Sequence, residues 1–224
     1  VLILLLVITI LGTIAVRQSL FGLKVATNSQ AQALLLQNSD AYFLKLEAAS
    51  NVQKIINASK FGPIGYAAQP SNVGHEVSLC YTRKSEQSFD TNQVGLFNTT
   101  KTGNKFNGLN KGYCDPTNAD NFTSGRRAVM TQVSIKVQNQ SANPLEHFIE
   151  GNDNDLVAPP VIARINVISI LPAMASNVNA ATIQDCLKSY PSDSIAGSAT
   201  IASCLKENNI PFNAQVAEYN QNNS

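Results

Sequence analysis

The first sixteen residues form an uninterrupted apolar run, VLILLLVITILGTIAV, and no charged side chain occurs before Arg17. A helix needs about 20 apolar residues to cross a bilayer. We therefore expect a few further apolar residues before Val1, the more so because the sequence opens without Met. The pattern favours a membrane-spanning helix over a buried core helix or the apolar part of a signal peptide.

The helical pattern continues beyond Arg17, because residues 18–59 contain no Pro and a single Gly. Apolar residues recur there at steps of three, four and seven, which places them on one helical face. They are Leu35, Tyr42, Leu46, Ala49, Val52 and Ile56. The polar residues expected on other faces are Gln32, Ser39, Lys45 and Gln53. Gly62 and Pro63 end the pattern, so we predict one helix from Val1 to about Ser59, on the order of 90 Å long.

Beyond Pro63 the period changes to the alternation of β-strands. Alternating or β-branched runs occur at 77–82, 129–137 and 161–171. They predict an antiparallel sheet with one buried face. Residues 84–127 are rich in Asn and Gly and are expected to form a large loop, and residues 145–150 are expected to form a short further strand.

The C-terminal part contains a short internal repeat, ATIxxCLK, at 181–188 and again at 199–206. Each copy has helical spacing and is followed by a Pro, which predicts two short helices with Cys on matching faces. The predicted fold class is α+β: a long N-terminal helix packed on an antiparallel sheet, with a C-terminal disulfide-bridged helical hairpin. The predicted parts are the helix at 1–60, the head at 61–171 and the helical extension at 172–224.

Four cysteines occur, Cys80, Cys114, Cys186 and Cys204, and none lies in a C-x-x-C pair. An even number beside an export anchor indicates two disulfides in an oxidising compartment. The order along the chain favours Cys80–Cys114 and Cys186–Cys204, although the sequence allows all three connectivities. Each bond is expected to stabilise the fold by roughly 3–4 kcal/mol.

The net charge is +1, and 14% of the residues are charged while 44% are hydrophobic. These values argue against a general electrostatic nucleic-acid binder and against a disordered chain. Between 91 and 114, lysines alternate with aromatic residues, a pattern that suits contact with DNA. Three lysines give only weak binding at physiological salt, so a solvated loop is the favoured interpretation.

Short motifs offer candidate chemistry that we do not adopt. Residues 203–206 fit S-x-x-K and 101–103 fit K-T-G, but the order is wrong for a penicillin-recognising enzyme and no S-D-N stands between them. His147 with Glu150 has too few ligands for a metal site. Asp153 and Asp155 offer oxygen ligands of the kind that calcium prefers, but a plain Asn/Asp/Gly turn is favoured. We expect no catalytic residue, resident metal or cofactor.

The N-terminal region resembles the minor pilins of the PilX type from type IV pili. The resemblance lies in LGTIAVRQSL at 11–20 and in ATNSQAQA at 26–33. It implies a type IV pilin-like fold whose helix contacts first the inner membrane and then, in the filament, other minor pilins and the major pilin. The membrane and filament residues would be Leu2, Leu5, Ile8, Leu11, Ile14 and Arg17.

The function that the resemblance implies is initiation of type IV pilus assembly from the pilus tip, in support of twitching motility, DNA uptake or adhesion. The chain would cross the bacterial inner membrane once, with its head in the periplasm, and would reach the cell exterior after assembly. A type II secretion pseudopilin has the same architecture and is the first alternative. A membrane-tethered adhesin or binding module is an alternative from another class.

Overall fold

A computed structural model describes residues 1–47, 62–82, 89–98, 112–123, 126–137, 161–175, 178–191 and 199–221. The first element, helix α1 (Leu2–Glu47), is 46 residues long, or about 70 Å at 1.5 Å per residue. The predicted helix is therefore found as far as Glu47, and its expected end near Ser59 lies outside the described residues.

Within the described residues, five antiparallel strands form one sheet in the order β2-β1-β3-β4-β5. The strands are β1 (His75–Tyr81), β2 (Val94–Asn98), β3 (Met130–Val137), β4 (Val161–Ile170) and β5 (Phe212–Gln221). The central register pairs Val77 with Ile135 and Ile135 with Ile165. Because side chains alternate along a strand, these three residues lie on one face of the sheet.

That face, called the helix face, packs against the C-terminal half of α1 and the short helix α2 (Pro63–Ala67). Its core contains Val77, Leu79, Val133, Ile135, Ile165 and Val167 from the sheet, with Tyr42, Leu46, Ile64 and Ala67 from the helices. The helix residues Leu35, Tyr42 and Leu46 are buried as predicted, whereas the other three residues predicted for that face lie outside the described part.

The opposite face of the sheet, called the second face, is also buried, so the prediction of a single buried face is wrong. Met130, Gln132 and Ser134 of β3 are all at most 3% exposed. Two further helices, α3 (Ala180–Leu187) and α4 (Ile201–Glu207), share the apolar core on this side with Cys114 and Ile168. The polar residues of the alternating pattern face this second layer instead of water.

Two strands occur where the sequence pattern predicted none. Strand β2 lies inside the segment expected to be a loop, and β5 lies inside the C-terminal segment expected to be a helical extension. Because β5 pairs with β4 over ten residues, from Val161↔Gln221 to Ile170↔Phe212, the C-terminal segment completes the sheet of the head. The strand expected at 145–150 lies outside the described residues.

Candidate functional site

The N-terminal two thirds of α1 presents its side chains to the exterior, and the first buried residue is Ala31. This helix is long and apolar enough to span a membrane, and none of its most apolar 18-residue window is buried in the fold. Its exposed apolar residues include Leu2, Leu5, Ile8, Leu11 and Ile14. A soluble core helix would bury such a window, and an apolar surface exposed over this length is typical of a segment that contacts lipid or another apolar partner.

The polar atoms within this span are satisfied by the helix itself. The hydroxyls of Thr9 and Thr13 each donate a hydrogen bond of 2.8 Å to a backbone oxygen of the preceding turn, that of Leu6 and of Ile10. In a hydrocarbon environment an unpaired hydroxyl would cost free energy. Both threonines are therefore compatible with a bilayer or with a tightly packed helix bundle.

Exposed apolar side chains continue beyond Arg17. Leu20, Phe21, Leu23 and Val25 are each more than half exposed. They stand between the charged end of the span and the first residue that contacts the head. A partner that covers α1 completely must therefore reach past Arg17.

The rest of α1 is held on the sheet by a buried hydroxyl chain and an aromatic contact. The Ser39 hydroxyl donates to Ser169 at 2.9 Å, and the Ser169 and Thr131 hydroxyls lie 2.9 Å apart. Ser39 is fully buried, so the prediction that it lies on another face is wrong. The rings of Tyr42 and Tyr81 meet edge to face with centroids 5.1 Å apart.

Along the outer side of α1, two side chains of β5 bind carboxylates. The Gln215 amide donates to Asp40 at 2.8 Å, and the Tyr219 hydroxyl donates to Glu47 at 3.2 Å. The Tyr219 ring also stacks on Phe43. Burial, and to a lesser degree the nearby Glu47 carboxylate, raises the pKa of Tyr219 to about 12.

Gln132 forms hydrogen bonds to both structures that cover the second face: first the segment around Cys114, and second helix α3. Its side-chain oxygen accepts from the Cys114 backbone N–H at 3.1 Å, and its side-chain amide donates to the Leu187 carbonyl at 2.9 Å. The Cys80–Cys114 disulfide fixes the first structure to β1. Gly112, with φ +86°, lies so close to Ser78 and Gly95 that a Cβ atom would overlap the backbone. A glycine is therefore required where this segment crosses the sheet.

The Cys186–Cys204 disulfide joins α3 to α4. Each helix begins with a side-chain cap: Asn179 accepts from the Thr182 N–H, and Thr200 accepts from the Ser203 N–H. Both disulfides therefore join the pairs that the cysteine order favoured. The two predicted helices are present, and their connection at 192–198 lies outside the described residues.

The motif residues found in the sequence do not meet in a catalytic arrangement within the described part of the chain. The Ser203 side chain accepts from the Thr200 N–H at 2.9 Å and so completes a capping box. Among the described residues there is no group of three or more His, Cys, Asp or Glu side chains that could hold a metal. The candidate calcium residues Asp153 and Asp155, the K-T-G motif and His147 lie outside those residues.

A buried carboxylate on the second face was missed by the sequence analysis. Glu76 is fully buried, and its Oε1 accepts from the Ser134 hydroxyl at 2.7 Å and from the Asn166 amide at 3.3 Å. The three residues come from neighbouring strands β1, β3 and β4, so these bonds tie the strands together. The alternating run was begun at residue 77 with only one face expected to be buried, so Glu76, which lies on the same face as Ser78, was not considered.

The chain matches no protein-family profile, no curated protein and no solved structure.

Proposed function

We propose that this chain is a minor pilin that helps to initiate type IV pilus assembly. The observation that supports the proposal best is the division of α1 into two parts. Residues 2–30 of the helix are exposed and largely apolar, while the part of the helix from Ala31 onward packs against a disulfide-bonded head. A continuous helix of this kind can be held in a bilayer and later transferred into a bundle of similar helices without refolding the head.

The transfer needs a helix surface that is compatible with both environments. Residues 1–16 carry no charge, and the Thr9 and Thr13 hydroxyls are bonded within the helix. Neighbouring helices can therefore replace lipid around this segment at no cost in unpaired polar groups. Arg17 would remain near the membrane surface before assembly. Leu20 and Phe21 would become covered only in the filament.

The tip position is proposed from the size of the head. Helices α3 and α4, joined by the Cys186–Cys204 disulfide, and the segment around Cys114 lie over the second face of the sheet. Such a cover is harder to repeat along a dense shaft than to place where one side has no next subunit. We therefore propose low copy number and a priming role together with other minor pilins.

The test is a deletion strain combined with quantitative mass spectrometry of sheared pili. We expect few surface pili, weak twitching and a trace amount of this chain in wild-type fibres. Normal piliation in the deletion strain would refute the priming role. Abundance close to that of the major pilin would refute the tip position. Normal pili with defective protein secretion would assign the chain to a type II secretion system instead.

A point variant tests the exposed helix directly. Ile8→Lys places a charge in the apolar window and is expected to cost about 3–4 kcal/mol at the centre of a span. Complementation with this variant should leave the chain poorly inserted and absent from fibres. Gln32→Lys is the matched control, because Gln32 is exposed on the same helix beyond the span. Equal incorporation of both variants would contradict the proposed role of residues 1–16.

A further inference from the structure

Strand β5 forms one edge of the sheet. Within the described part of the chain it pairs only with β4. Alternate residues of an edge strand direct their backbone N–H and C=O groups away from the sheet. A strand ten residues long therefore offers a row of hydrogen-bonding groups to which another extended chain can be added.

A groove of about 460 Å³ runs beside this edge, between α1 and β5. The helix contributes residues at 40, 43, 44 and 47, which form one stripe along its surface. Leu44 in this stripe is 60% exposed, and Val216, on the other side of the strand, is 54% exposed. A chain added to β5 would thus find exposed apolar side chains for both of its faces.

The charge of the groove indicates the charge of the segment that it would bind. Among the residues that the structure describes, its charged lining residues are Asp40 and Glu47, and none of the described lining residues is Lys, Arg or His. The two carboxylates lie about 10 Å apart along the helix axis. A second copy of β5 would bring the same acidic groups against each other, whereas a basic segment would neutralise them.

We propose that the edge of β5 and the adjoining groove bind an extended segment of a partner protein by β-strand addition. The segment carries apolar side chains, which contact Leu44 and Val216, and Lys or Arg side chains, which pair with Asp40 and Glu47. Backbone hydrogen bonds to β5 hold the segment, and the side-chain contacts select it. This inference does not depend on the proposed role in pilus assembly, since it concerns the head alone.

The binding test uses the full chain in detergent micelles and three labelled ten-residue peptides. The first alternates Val with Thr and carries two Lys; the second has Glu in place of both Lys. The third keeps the Lys sequence but is N-methylated at alternate backbone positions, which removes the donors for strand pairing. Fluorescence polarisation should show saturable binding of the first peptide that weakens with salt, and at least tenfold weaker binding of the other two. No saturable binding of the first peptide, or equal binding of all three, would overturn the proposal.

Two matched variants locate the binding. Leu44→Lys puts a positive charge into the groove and is expected to weaken binding of the Lys peptide at least tenfold. Leu36→Lys, at an exposed leucine of the same helix outside the groove, should leave it unchanged. Equal binding to both variants would overturn the assignment. Self-association of the chain that is lost in Leu44→Lys would assign the edge to a second copy and likewise overturn it. Far-UV circular dichroism verifies that the variants fold, and the three peptides test the unmodified chain independently.

Discussion

Leu35 and Leu36 are adjacent leucines of α1 with opposite environments. Leu35 is 0% exposed and belongs to a small apolar cluster with Ala31, Val129 and Leu171, whereas Leu36 is 46% exposed. Leu35→Ala should lower the free energy of unfolding of the head by about 2–5 kcal/mol, since it removes a buried side chain and leaves a cavity. Leu36→Ala should cost less than about 1 kcal/mol, because little burial is lost. The two changes have the same effect on helix propensity, so the difference between them isolates burial.

The measurement is chemical unfolding of the full chain in detergent micelles, monitored by the near-ultraviolet circular dichroism of tyrosine. The chain has no Trp and six Tyr, and the packed rings of Tyr42 and Tyr81, which lie at the contact between α1 and the sheet, contribute to this signal. A signal from the head is needed because the exposed part of α1 can stay helical in the micelle. Equal midpoints for the two variants would show that α1 does not dock through the Leu35 face.

Three further predictions concern the buried hydroxyl of Ser39, the two disulfides and the hydroxyl of Tyr219. Ser39→Ala removes one buried hydrogen bond but leaves Ser169 bonded to Thr131, so it should cost about 1 kcal/mol in the same unfolding assay; a loss as large as that of Leu35→Ala would contradict this account. Peptide mapping without reduction should find Cys80 linked to Cys114 and Cys186 to Cys204, and replacing the second pair by Ser should cost about 3 kcal/mol; free thiols in protein purified without a reducing agent would refute the pairing. Burial, followed by Glu47, raises the pKa of Tyr219 in the folded state to about 12, from 10.0. The protonated tyrosine therefore stabilises the head fully below pH 10, and this stability is lost as the pH rises from 10 to 12. Tyr219→Phe should reduce the fall in stability over this window, and an unchanged fall would show that Tyr219 does not cause it.

The sequence pattern predicted the elements whose signals are local. The apolar run and the three-and-four spacing identified α1, because a helix places neighbours in sequence on one face. The alternating β-branched runs identified three of the five strands found in the described residues. The repeated ATIxxCLK motif identified α3 and α4, since each copy has helical spacing and is followed by a Pro that ends the helix. The exposed N-terminal surface followed directly from the composition of the first sixteen residues.

The missed features depend on contacts between distant parts of the chain. Ser39 looks like a surface residue until Ser169, 130 positions away, supplies its partner. The strand β5 alternates only weakly, because its polar residue Gln215 pairs with Asp40 of the helix instead of water. The polar residues of β1 and β3 are buried because the Cys114 segment and α3 cover them, and alternation alone cannot distinguish such a cover from solvent. The proposed binding edge was also missed, because it is formed by β5, which the sequence pattern did not predict.

The contacts that dock α1 have a consequence for the order of folding. Asp40 binds Gln215 and Glu47 binds Tyr219 across 175 and 172 positions, so the first element of the chain is completed by the last. Closing such long loops costs conformational entropy before the contacts can form, and contacts between residues far apart in sequence slow folding. During synthesis, α1 emerges long before β5, and its docking face must wait until β5 has been made. The Cys80–Cys114 bond, which spans only 34 positions, can form during that interval. The packing of β5 against α1 is then the last step in the folding of the head.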